Sequence, residues 1–194
     1  MRLIVATRNR HKLQELGASM PGADLAPLPL EVELPPEDGD TFAANALIKA
    51  RAAHEATGQA ALADDSGICA VALGGRPGVR SARFAGEDAS DGENLARLID
   101  ALSGERDRSV AYVCVLAHVD FDGGETVAEG RCEGQLIAEP RGTGGFGYDP
   151  AFVPDETGSA DGRTMAELSP EEKNAISHRG KAARALAASL GVGS

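Results

Sequence analysis

Apolar residues recur along this chain with two different periods. In "HKLQELGASM" (11–20), Leu13, Leu16 and Met20 fall three and four apart, the spacing of one helical face. "TFAANALIKARAAHEAT" (41–57) repeats that spacing, with Thr41 placed as an N-cap and Gly58 as a stop. "NLARLIDAL" (94–102) predicts another helix. "SPEEKNAISHRGKAARALAASL" (169–190) is helical for at least part of its length. Ser169 and Glu172 open it as a capping box, with Pro170 at the first helical position. Gly180 lies inside that stretch, where glycine costs about 1 kcal/mol. It predicts either a break or the close approach of a neighbour.

Other segments read as strands. "RLIVA" (2–6) is a short buried run, and "AALA" (60–63) is a second, predicted to end at a tight "DDSG" turn. "SVAYVCVLAHV" (109–119) is rich in β-branched residues; "DFDGG" (120–124) is a hairpin turn and "ETVAEGRCEGQL" (125–136) the returning strand. "PLPLEVELPPEDGD" (27–40) is Pro-rich, extended and then looped. Strands mixed with helices, plus one hairpin, indicate an α/β fold with a mixed sheet rather than a purely parallel one.

The length of 194 residues suits one domain spanning 1–194. A hydrophobic content of 42% with 25% charged residues is ordinary for a globular protein. No apolar run is long enough to cross a membrane, and the basic start lacks the features of a signal peptide. Cys69, Cys114 and Cys132 are widely spaced and form no CxxC, so neither zinc nor a disulfide framework is expected. A reducing cytoplasm is the simplest compartment. The net charge of −11 disfavours nucleic-acid binding, although basic residues gather at Arg8–Lys12 and at Arg76, Arg80 and Arg83.

Five stretches carry candidate chemistry. In "ATRNRHK" a strand gives way to a helix, whose unsatisfied amides suit an anion; Thr7, Asn9 and Lys12 add donors. The glycines of a P-loop are absent. In "ALADDSG", Asp64 and Asp65 should repel one another unless a cation compensates. Mg²⁺ uses one or two carboxylates and completes its shell with water and phosphate oxygens. An Asp-capped turn is the plainer reading. "PPEDGD" supplies Glu37, Asp38 and Asp40 just before a helix on which Asn45 and Lys49 share a face.

"GTGGFGYDPAF" (142–152) places Phe146 and Tyr148 in a glycine run, although aromatic residues make up only 4% of the chain. A ring there can stack on a nucleobase for about 1–3 kcal/mol, and Asp149 can accept from a base edge. Alternatively the rings pin the loop to the core. In "EEKNAISHRG", Lys173 and Ser177 share a helical face, while His178 and Arg179 point in different directions.

Together, "ATRNRHKLQEL", "TFAANALIKA", "ADDSG", "LGGRPGVRSARFAGEDASD", "GTGGFGYDPAF" and "AELSPEEKNAISHRGKA", in this order, resemble the inosine triphosphate pyrophosphatases across nearly the whole chain. Only Arg8, Arg10 and His11 fall at positions that vary in that pattern. The resemblance implies an elongated mixed β-sheet flanked by helices, with two lobes and a central cleft, and commonly a homodimer. It implies Mg²⁺-dependent hydrolysis of deaminated purine nucleoside triphosphates (ITP, dITP, XTP) to a monophosphate and pyrophosphate.

The same resemblance assigns Thr7, Arg8, Asn9, Arg10, His11 and Lys12 to the triphosphate, and Lys49 and Ser66 to substrate contact. Glu37, Asp64 and Asp65 become the Mg²⁺-associated acids, with Asp65 the proton acceptor and the division between the two aspartates open. Phe146, Gly147, Tyr148 and Asp149 frame the base, and Lys173, His178 and Arg179 complete its pocket, with Arg179 or His178 donating to the 6-keto oxygen. Two alternatives stay open: a broader pyrophosphatase of modified nucleotides, and a nucleotide-binding sensor without turnover. The acids of "ADDSG" argue against the sensor, because binding an anion gains nothing from extra negative charge without a metal.

Overall fold

The structure, a computed structural model, describes residues 2–157 and 162–191. Among these, six strands form one sheet in the order β2-β1-β3-β4-β5-β6. They are β1 (Arg2–Val5), β2 (Asp24–Pro27), β3 (Ala61–Ala70), β4 (Ser109–Val119), β5 (Glu125–Leu136) and β6 (Phe152–Pro154). β1 runs parallel to β2 and β3, whereas β5 and β6 are antiparallel, so the sheet is mixed. The helices are α1 (Arg10–Ser19), α2 (Phe42–Thr57), α3 (Asp91–Ala101), α4 (Pro170–Ile176) and α5 (His178–Ser189). No helix among the described residues is long and apolar enough to cross a membrane.

The chain divides into two compact units: residues 1–65, 114–130 and 178–194, and residues 66–113 and 131–177. In the first unit, alternate strand residues feed two cores, as the period-two geometry of a strand requires. Leu3, Val5, Leu62 and Leu116 pack with Leu16 of α1 and Ala182, Ala183 and Leu186 of α5. Ile4, Ala61, Ala63, Val115 and Ala117 pack instead with Ala46, Ala50 and Ala53 of α2. The core of the second unit gathers Ile68, Leu98, Tyr112, Leu136, Tyr148, Phe152 and Met165, with the rings of Tyr112 and Phe152 stacked at 4.4 Å.

Several local devices act as the sequence predicts. Thr41 caps α2 by accepting from the Ala44 amide, and Gly58 ends it in the left-handed conformation. The Ser169–Glu172 capping box opens α4 with Pro170 in its first turn. β4 and β5 have the predicted bounds.

Three expectations are corrected. β2 lies where no strand was predicted before residue 27; its four residues carry too little periodicity to show, and pairing with β1 creates it. "DDSG" is no turn: β3 continues through it to Ala70. Gly67 marks a close approach rather than a bend, because the Gly78 carbonyl and the Ser81 hydroxyl occupy the space a Cβ would need. Finally, the C-terminal stretch breaks at Ser177, whose ψ of 150° is extended, and not at Gly180. α5 runs through that glycine, and the alternative reading, a close approach, holds, since a Cβ on Gly130 would meet the His178 carbonyl and the Ala182 amide.

Candidate active site

The corrected path of β3 decides what its two acids do. Adjacent residues of a strand face opposite sides of the sheet. Asp64 lies on the side packed by α1 and α5, and Asp65 on the side packed by α2. Asp64, 1% exposed, accepts from Lys12 Nζ at 2.9 Å and from Arg179 Nη2 at 3.1 Å. Arg179 also pairs with Glu15 of α1. Asp65 Oδ2 accepts from Asn45 Nδ2 at 3.0 Å, and the Oδ1 of Asn45 accepts from the Gly39 amide at 2.8 Å. Lys49, one helical turn beyond Asn45, pairs with Glu37 at 2.5 Å.

These surroundings drive the neighbouring carboxyls apart. Burial alone would raise Asp64, but Lys12, Arg179 and Lys49 outweigh it and hold the group well below the usual carboxylate range. Burial raises Asp65, and Lys49 and the Asn45 hydrogen bond offset this only in part, so its carboxyl stands above the ordinary value. Asp64 is thus a fixed anion, and Asp65 has a higher affinity for a proton.

Within this cluster Lys12, Lys49 and Arg179 face Glu15, Glu37, Asp64 and Asp65. Four carboxylates against three cations leave a net negative charge, so a triphosphate would need a divalent cation here in addition to the lysines. Hard oxygen donors in that balance fit a divalent cation better than a bare anion. Among the described residues no three His, Cys, Asp or Glu side chains converge into a ready-made cage. Mg²⁺ does not require one, since it binds through one or two carboxylates plus substrate oxygens.

The loop before α1 is organised from within. Asn9 caps the helix, accepting from the amides of His11 at 2.9 Å and Lys12 at 3.2 Å, and Thr7 Oγ1 accepts from the Asn9 amide. Arg8 turns away to donate to the carbonyls of Leu28, Pro29, Leu30 and Val32. Arg10 and His11 are exposed. A cavity of about 380 Å³ borders Thr7, Asn9, Arg10, Leu28 and Leu30. It is lined by neither Lys12 nor any acid of the cluster. His178 is buried beside Arg179 at the start of α5, and Ser66 is half-buried on β3.

The second unit holds the aromatic loop. Asp149, 3% exposed, is its hub: Oδ1 accepts from Tyr112 Oη at 3.1 Å, and Oδ2 accepts from the Phe146 amide at 2.8 Å and from Lys173 Nζ at 2.7 Å. Lys173 Nζ also stands 4.9 Å from the centre of the Phe146 ring, a cation–π contact. Tyr148 is buried, and its hydroxyl donates to the Ser81 carbonyl at 2.7 Å. The two aromatics therefore differ: Tyr148 pins the loop to the core, and Phe146 remains half-exposed.

Glu15, Asn45 and Tyr112 take part in these arrangements although none is a candidate site residue by sequence; the first two lie inside the motifs "ATRNRHKLQEL" and "TFAANALIKA", and Tyr112 inside none. Glu15 follows Lys12 by three positions and Asn45 precedes Lys49 by four, so helical spacing was the available signal. Nothing comparable marks Tyr112, which lies 37 residues from Asp149 along the chain. The guanidinium of Arg179 serves the acid cluster of the first unit, whereas Lys173 stands beside the aromatic loop of the second.

Residues 3–189 match the Ham1 family. A dITP/XTP pyrophosphatase of Mycobacterium tuberculosis is 49% identical over 202 residues, covering 97% of this chain and 95% of that protein. One from Corynebacterium diphtheriae is 46% identical over 196 residues, covering 96% and 95%. A solved HAM1 protein of Coxiella burnetii superposes with a TM-score of 0.87 at 40% identity, covering 98% of each chain. The Ham1 protein of Staphylococcus aureus gives 0.84 at 35%, with the same coverage. With the match running from β1 to α5 and the fold shared, this chain belongs to the Ham1 family.

Proposed function

We propose that this chain hydrolyses deaminated purine nucleoside triphosphates, dITP and XTP among them, to the monophosphate and pyrophosphate with Mg²⁺. The observation that carries the reading is its near-full-length similarity to dITP/XTP pyrophosphatases. The two groups of side chains supply chemistry suited to that reaction.

In the first unit, Lys12 and Lys49 are the cations for the triphosphate, and Asp64 and Glu37 hold them in place before substrate arrives. Preorganised charge of this kind acts on the pyrophosphate as negative charge gathers there. Asp65 takes the proton of the attacking water; its raised proton affinity and its Asn45 hydrogen bond suit a general base. Glu37 and Asp65 are the carboxylates that would hold Mg²⁺. The metal, when bound, would neutralise phosphate charge and polarise the α-phosphoryl group. Asp64, already committed to Lys12 and Arg179, keeps those cations aligned.

In the second unit, Lys173 and Asp149 form a donor beside an acceptor next to the Phe146 ring. Hypoxanthine and xanthine present the complement, a keto oxygen at position 6 beside an N1–H. Adenine reverses both, and each mismatched buried group costs about 1–3 kcal/mol. A carboxylate has about four lone-pair sites, and Asp149 uses three here, which leaves one for N1–H. Lys173 thus takes the keto-reading role that the sequence pattern alone gave to Arg179 or His178. The family resemblance also carries a homodimer, checked by sedimentation of the purified chain.

The test is pyrophosphate release from dITP and XTP against ATP and dTTP, with Mg²⁺ and with a chelator. The expected outcome is Mg²⁺-dependent release from dITP and XTP at least about thirtyfold faster than from ATP, given two reversed contacts at about 1 kcal/mol or more each. Equal or faster release from dTTP would instead mark a broader pyrophosphatase. Stoichiometric binding without release would mark a sensor.

A further inference from the structure

Asp91 belongs to neither group of side chains, yet it touches the aromatic loop. Its Oδ2 accepts from the Gly147 amide at 2.8 Å, between residues 56 apart in sequence. Gly147 has φ +63°, a conformation side-chain-bearing residues rarely adopt, and it directly follows Phe146. The bond therefore fixes the peptide that carries the half-exposed ring. Asp91 is itself held, as the first residue of α3, inside the Ser90–Glu93 capping box.

The same part of α3 anchors a second segment. Asn94, buried, accepts from the Ala85 amide at 2.9 Å and donates to the carbonyls of Ala82 and Ala89. That segment begins beyond Ser81, whose carbonyl receives the Tyr148 hydroxyl. The Ser81 side chain in turn is tied to β3, accepting from the Ile68 amide at 2.8 Å. Residues 81–94 thus form a bracket with two attachments to the loop, one on each residue after Phe146. The Asp149 hub also secures the loop, through Tyr112 and Lys173.

Resting on the proposed pyrophosphatase reading, we infer that Asp91 is a positioning residue for the base: its carboxylate latches Gly147 and so sets the place of the Phe146 ring beside Lys173 and Asp149. Asp91 touches no reacting atom in this scheme. Its acceptor oxygen is what matters, so an amide in its place suffices, whereas a methyl group does not.

The experiment compares Asp91→Ala with Asp91→Asn. Both remove the charge at the start of α3, so effects on the helix dipole cancel in the comparison. Asp91→Ala is expected to raise KM for dITP by up to about tenfold, the loss of one hydrogen bond. On the same reasoning kcat changes by less than about twofold. The Gly147 amide, followed by NMR, exchanges faster with solvent in Asp91→Ala and keeps its protection in Asp91→Asn, which also stays within about twofold of wild-type KM. An unchanged KM in Asp91→Ala, or equal impairment in both variants, overturns the inference. Wild-type protein that releases no pyrophosphate from dITP or XTP overturns the functional reading instead.

Discussion

Asp64 and Asp65 are chemically identical neighbours, and one peptide unit of strand geometry separates their environments. Asp64 meets Lys12 and Arg179; Asp65 meets Asn45, in the same environment as Lys49. Their stability effects should therefore differ sharply in size. Asp64→Asn leaves the buried Arg179 and the half-buried Lys12 without their shared anion, and breaking a buried pair typically costs about 3–5 kcal/mol. Asp65→Asn removes a carboxyl whose charge is disfavoured by burial, so unfolding in urea should show little loss or a small gain, while turnover collapses. A large destabilisation by Asp65→Asn would refute this division. The pH dependence follows from the lowered Asp64 value: its contribution is present above the ordinary carboxylate range and disappears as pH falls through the depressed native value. Acid unfolding of Asp64→Asn should accordingly depend less on pH than that of the wild type. The sequence placed both acids at a site but could not separate them, because "DDSG" looks like a turn until the partners on α1, α2 and α5 are known.

Among the elements, those with strong local signals were legible. The capped α2, the β4–β5 hairpin and the capping box of α4 all follow from side chains within a few residues. What could not be read depends on distant partners. β2 exists through β1, the second half of β3 fits because Gly67 admits Ser81 and Gly78, and the break at Ser177 sits in good helical sequence. The candidate site divides along the same line: Lys12, Lys49 and Lys173 stand out by position, whereas nothing in the sequence pairs Arg179 with Asp64 and Glu15. The helix α4 gives a test at this scale. Ser169 accepts from the Glu172 amide and starts the short helix that delivers Lys173 to Asp149. Ser169→Ala should cost about 1 kcal/mol of stability and raise KM for dITP more than it lowers kcat, since it disturbs the base group and not the acids. Steady-state kinetics and urea melts check both. A fall in kcat with KM unchanged would detach α4 from base binding.

At the scale of the whole molecule, the first unit depends on a core in which a thiol lies against the charged cluster. Cys114 is fully buried on β4, packed with Leu62, Leu116 and Ala182. Burial pushes its thiol up to about 12, with the charge of Arg179 pulling it partly back. An unfolded thiol titrates near 8.5. Because the native value is the higher one, the contribution to stability is complete below the unfolded value and is lost as pH rises toward the native one. The window therefore runs from about pH 8.5 to about 12. Across it each pH unit removes about 1.4 kcal/mol for this one proton. Burial likewise holds the Tyr148 hydroxyl above its ordinary range, adding a second loss of the same sign at the upper end. Cys114→Ala deletes the thiol's share while leaving Tyr148 in place. The variant should start less stable at pH 7, from the small cavity it opens, and then lose stability less steeply between pH 8.5 and pH 11. Thermal melts of both proteins across that range give the comparison. Parallel curves would mean that Cys114 ionises without cost in the folded chain, and that the packing around Asp64 and Arg179 is more open to water than their burial indicates.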